Sequence, residues 1–192
     1  MNKRALNKVL RRLNGLLNLD DEVVVEGMFV RSVPIAHSLT RDIVEHLATA
    51  NPSWSEFDLY KAILEPVISQ NTGNYSGLVA IYDLLARQAS IEKREEAYSL
   101  HQNTVHYMAL RNLEGTKGIR AVEYYFLILG RSSCCDLCTS LVDTAYTEKE
   151  FFENQPIPVP NCQREDQLCV CLPNAVSKGR YLRLVEQGRI KL

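Results

Sequence analysis

Six cysteines lie between Cys134 and Cys171, about a fifth of the 192-residue chain, and the other four fifths holds none. A secreted disulfide scaffold spreads its bridges over the fold it staples, whereas a metal gathers its ligands at one locus. The spacing is Cys134-Cys135-x2-Cys138, then 23 residues, Cys162, 6 residues, and Cys169-x-Cys171. A C-x2-C turn sets two sulfurs on one side of a knuckle, where a tetrahedral ion with bonds of about 2.3 Å can bridge them. A later stretch must then supply the remaining corners. Pro156-Ile157-Pro158-Val159-Pro160 is a stiff extended run that holds Cys162 against the knuckle at low entropic cost. The pattern predicts a structural zinc site of four cysteines, Cys135, Cys138, Cys162 and Cys169, with Cys171 as the alternative fourth ligand. Cys134, adjacent to Cys135, is expected to point elsewhere as a small buried apolar residue.

Other uses of these thiols fit the pattern less well. Disulfides need an oxidising compartment, and Lys3, Arg4, Lys8, Arg11 and Arg12 interrupt any secretory apolar region after Met1. The expected setting is intracellular and reducing, although an acid-free, basic first 19 residues also suits an organelle transit peptide. A redox C-x2-C leaves four cysteines unexplained, and an iron–sulfur cluster favours tighter runs than these.

Composition sets the outer limits. With 46% hydrophobic residues the chain can bury a core, and no apolar run approaches a membrane span. Lys+Arg 22 against Asp+Glu 23 excludes wholesale coating of nucleic acid by bulk charge. The histidines His37, His46, His101 and His106 are scattered and read as core or surface residues. No phosphate loop, dinucleotide fingerprint, nucleophile elbow or H-E-x-x-H is present, so no catalytic residue and no small-molecule substrate is assigned.

Before the cysteines the text is helical. Leu6, Val9, Leu10, Leu13, Leu16 and Leu17 recur at helical spacing, giving a basic amphipathic helix that packs on the body or a neighbouring subunit, or forms an arm touching DNA or an acidic partner. Val23 to Val25 suits a short strand. A helix carrying Ile43, Val44 and Leu47 breaks at Asn51-Pro52. Ser53 to Glu56 reads as a capping box. Its helix carries Phe57, Tyr60, Ile63 and Leu64, and Pro66 is expected to end or kink it. Gln70 to Gly77 reads as a loop, followed by a helix with Leu78, Ile81, Tyr82 and Leu85. A further helix runs from about Ile91 to Leu113, with Gly115 and Gly118 closing it. From Ile119 to Ile128 the period becomes two, with aromatic and β-branched enrichment, and predicts a largely covered strand. Val176 to Leu192 is a basic segment docking at an edge. The expected architecture is α+β: a mainly helical body over residues 1–117 and a small β/loop domain over 118–192, organised by the four-cysteine zinc site.

The order Gly118-Ile119, Tyr124-Tyr125, Gly130, Cys135-Asp136-Leu137-Cys138-Thr139-Ser140-Leu141 resembles the C-terminal segment of the phage Mu protein F-like head morphogenesis family. There a strand leads into C-x2-C, and a Pro-rich stretch ends near H-P-N-C-R-C. Matching Cys169-Val170-Cys171 to C-R-C puts Cys162 in place of the family's His and keeps four ligands, whereas matching Asn161-Cys162 puts Val159 there. The likeness covers roughly 55 residues. It implies a non-enzymatic minor head protein of a tailed bacteriophage, partnered by portal or capsid proteins in head morphogenesis or DNA packaging. The implied location is the host cytoplasm during assembly and then the virion. The alternatives are a zinc-stabilised nucleic-acid-binding module, touching DNA through the basic ends Lys3 to Arg12 and Lys178 to Lys191, and a thiol oxidoreductase on Cys135 and Cys138.

Overall fold

The computed structural model describes residues 1–19, 35–117, 123–130, 134–160, 162, 164 and 168–190. The candidate strand at Val23 to Val25, Gly118 to Val122, Asn161 and Lys191 lie outside the described residues. Among the described residues, five helices precede a small sheet. None of the described helices is long and apolar enough to cross a membrane.

Helix α1 (Lys3–Leu17) starts where the Asn2 side chain accepts the Ala5 N–H, and it buries Val9, Leu10, Leu13 and Leu17. Its inner edge is tied down by Lys8 to Glu56 at 2.7 Å and Arg12 to Gln88 at 2.8 Å. The basic helix therefore packs on the body, leaving Lys3, Arg4 and Arg11 exposed. Helix α2 (Arg41–Ala50) ends at Asn51 as expected but buries Val44 and Ala48, while Ile43 stays 41% exposed.

The structure changes several details of the body. The capping box at the start of α3 (Glu56–Gln70) is Ser55 with Asp58, not Ser53 with Glu56. Asp58 accepts the Ser55 N–H at 3.0 Å and Arg94 reaches both residues, so the second of two overlapping box patterns has the better partners. Pro66 does not end α3, which runs on to Gln70. It forfeits one backbone bond, but Val67 beyond it is buried and Asn71 donates to the Val67 carbonyl at 2.7 Å, so packing carries the helix through. The Gln70-to-Gly77 loop shrinks to a turn, because the Asn74 side chain accepts the Gly77 N–H and starts α4 (Tyr75–Ile91) at Tyr75.

Helices α4 and α5 (Ala97–Lys117) pack closely as neighbours, with Tyr107 stacked on Tyr82 at 5.4 Å between centroids. Ile91 ends α4 instead of opening α5, and Gly115 lies inside α5. One core joins α1 to α4 through Leu13, Phe57, Tyr60, Ile63, Leu64 and Ile81. Burying each such side chain contributes about 1.5–3 kcal/mol relative to exposure.

A second core begins on α5, whose Val105, Ala109 and Leu113 pack with the sheet. Strand β1 (Tyr124–Leu129) lies between β2 (Ala145–Thr147) and β3 (Leu172–Ser177), both antiparallel, with Phe126 opposite Tyr146 and Ala175. The period of two sends Tyr124, Phe126 and Ile128 into this core. Phe126 there stacks on Phe151 of α7 (Glu148–Asn154) at 4.4 Å. Tyr125 on the opposite face stacks on Tyr181 of the C-terminal helix α8 (Lys178–Glu186) at 4.1 Å and 6°. The molecule is thus mixed, a helical body and a three-stranded sheet sharing α5, with the cysteines gathered at the sheet end.

Candidate metal centre

Strand β1 delivers the chain to Gly130, and the approach there is tight. A Cβ on Gly130 would overlap the Val142 side chain and lie 3.4 Å from the Cys134 sulfur. Cys135 follows in extended backbone as the N-cap of the short helix α6 (Asp136–Leu141), and Cys138 is buried within that helix. The Thr139 N–H bonds the Cys135 carbonyl at 2.8 Å, closing the knuckle that sets both sulfurs on one side. Cys162 comes from beyond the Pro-rich run, and Cys169 and Cys171 lead into β3.

The sulfurs converge. Those of Cys135, Cys138 and Cys162 lie within 4.8 Å of one another, and so do those of Cys138, Cys169 and Cys171. Cys138 belongs to both groups. The closest approaches are Cys138 to Cys169 at 3.3 Å, Cys134 to Cys171 at 3.7 Å, and Cys135 to Cys162 at 3.8 Å. All six remain thiols, with no disulfide among them. Cys138, Cys162, Cys169 and Cys171 are buried and Cys134 and Cys135 half-buried.

Three of the four expected ligands, Cys135, Cys138 and Cys162, form one group, and the fourth, Cys169, touches Cys138 from the other. The alternative ligand, Cys171, sits beside Cys169 in that second group instead of replacing it. The expectation for Cys134 is corrected. Cys134 is half-buried rather than buried, and its sulfur lies 3.7 Å from that of Cys171.

Electrostatics differ between the thiols. Burial pushes the Cys138 and Cys162 thiols up. Cys171 is raised by its hydrogen bond to Cys169, and the same bond holds Cys169 down, helped by the Val159 and Cys171 N–H groups. The Pro-rich run thus presents a donor to Cys169 as well as leading to Cys162. A buried sulfur cluster of this composition could hold a metal ion, since thiolates are soft ligands that a cation ionises on binding.

Two contacts tie this centre to the helical body. His101 of α5, 7% exposed, places Nε2 2.8 Å from the Cys169 carbonyl. A carbonyl only accepts, so Nε2 carries the proton, and Nδ1 is left buried without a partner. Tyr98 donates to the Pro158 carbonyl at 3.1 Å. The sequence reads His101 as a core or surface histidine, and nothing in its spacing points to a carbonyl 68 residues away. His106 is half-buried, edge-on to Tyr107 and Phe152, with burial pulling its pKa down.

A cleft of about 570 Å³ is lined by Arg12, Leu16, Asp83, Arg87 and Leu168 among others, and no cysteine is among its lining residues. Of its charged residues, Arg87 is paired with Asp83 at 2.8 Å and Arg12 donates to Gln88. No protein family, curated protein or solved structure matches the chain.

Proposed function

We propose that this is a structural or interaction protein whose C-terminal unit is organised by zinc, acting as a minor head protein of a tailed bacteriophage. In this reading it associates with the portal or procapsid during head morphogenesis or DNA packaging. The observation that carries the proposal is the convergence of Cys135 and Cys138, directly after a strand, with Cys162 and Cys169 from beyond a Pro-rich run. That order of elements is the one in which the sequence resembles the phage Mu protein F-like family. Zinc suits an all-sulfur donor set without redox chemistry. Four thiolates fill a tetrahedron and leave no corner for water or substrate, which favours a folding role over hydrolysis.

The test is affinity capture of the tagged full chain from cells assembling the particle. Portal or capsid protein retained on the tag is the expected result. Recovery of the chain without either, from cells that contain both, overturns the assignment.

A second reading, contact with nucleic acid, is favoured by α8, which buries no residue and exposes Arg180 and Arg183. It requires affinity that falls with salt at a log–log slope of about 0.9 per phosphate contacted. Salt-independent retention on DNA removes it.

A further inference from the structure

One tetrahedral ion uses four sulfurs, and six converge here. Three of the sulfur–sulfur contacts have an order that a single site does not explain. Two are long and nearly equal, Cys135–Cys162 at 3.8 Å and Cys134–Cys171 at 3.7 Å. Bonds of about 2.3 Å at a tetrahedral angle require an edge of about 3.8 Å between two sulfurs on one ion. Both long contacts match that edge, and no group of mutually close sulfurs contains both. The third contact, Cys138–Cys169, lies between them and is shorter, at 3.3 Å. Cys138 is the sulfur common to both groups of mutually close sulfurs.

Resting on the metal reading above, we infer that the six cysteines form one binuclear site, two divalent ions bridged by the Cys138 and Cys169 thiolates. Cys135 and Cys162 complete the tetrahedron of the first ion, and Cys134 and Cys171 that of the second. The two groups of three are these tetrahedra, each with one corner drawn back: Cys169 from the first and Cys134 from the second. Charge is consistent with this count. One divalent ion with four thiolates carries a net charge of −2, and two divalent ions with six thiolates carry the same. The second ion therefore adds no buried net charge, while it ionises two thiols that would otherwise be enclosed as weak donors.

The test uses the full chain, reduced and reconstituted anaerobically with Zn2+, then weighed by native mass spectrometry. Two zinc ions per chain are expected. One zinc ion overturns the binuclear site and leaves the four-thiolate reading standing. No zinc, or a chain lighter by the hydrogens of three disulfides, overturns both. The paired variants Cys134→Ser/Cys171→Ser and Cys135→Ser/Cys162→Ser should each hold one ion. Loading with 113Cd2+ tests the bridge, because shared thiolates split two cadmium resonances by coupling to each other. Two unsplit resonances would mean separate sites and overturn the bridging assignment.

Discussion

His101 on α5 and the carbonyl of Cys169 are joined at 2.8 Å across 68 residues of sequence, so the helical body orients the loop that carries two of the sulfurs. Removing the donor leaves a buried carbonyl unpaired at a cost of about 1–3 kcal/mol. Loss of an outer partner of a metal ligand weakens metal binding roughly 10–100-fold. His101→Leu should therefore show both effects. His101→Gln, which keeps a donor, should recover part of the affinity. A competition titration with a zinc chelator measures it, and equal affinity in wild type and His101→Leu would remove the orienting role.

His106 supplies a pH dependence. Burial lowers its folded-state pKa, so the unfolded chain binds the proton more readily. The stability it contributes is complete above about pH 6.5 and is lost as pH falls through the lower folded value. His106→Phe should abolish this component. Melting temperatures of wild type and variant should converge or cross between about pH 8 and about pH 5, with wild type losing more.

Asp58 acts in the same direction at lower pH. Its pKa is lowered chiefly by the Ser55 N–H, with the Ser55 hydroxyl and Arg94 adding to it. Its contribution is present above about pH 4 and disappears as pH falls further. Ser55→Ala should cost about 1 kcal/mol in urea unfolding at neutral pH. Removal of the half-buried Arg94 side chain should cost less, because half-solvated pairs contribute about 1 kcal/mol at most.

Tyr181 holds α8 to the sheet through its stack on Tyr125. Such aromatic pairs contribute about 0.5–1.5 kcal/mol beyond the area they bury. Tyr181→Ala should raise amide exchange throughout α8, which buries no residue, while β1 keeps its protection. Unchanged exchange in α8 would show that other contacts anchor it.

The helices of the body were legible because their apolar residues recur at a helical period, and β1 because its residues alternate. The errors arose where two local signals competed. Ser53 and Ser55 both offer a box, and Arg94, remote in sequence, decides between them. Pro66 is a true local penalty that the burial of Val67 outweighs. Strand β2 and helix α7 went unread because three residues show no period, although Thr147 and Glu150 form a capping box that marks the helix start. At the centre, spacing placed Cys135 and Cys138 on one knuckle. The turn of Cys134 toward Cys171 depends on where β3 lies, which no local pattern encodes.

If a bound ion holds the sheet end of the molecule together, hydrogen exchange with and without a chelator reads that dependence residue by residue. Chelation under reducing conditions should strip protection from Phe126 and Ile128 while Leu59, Ile63 and Leu64 of α3 keep theirs. Identical protection at Phe126 and Ile128 in both conditions, in a chain known to have lost its metal, would contradict it.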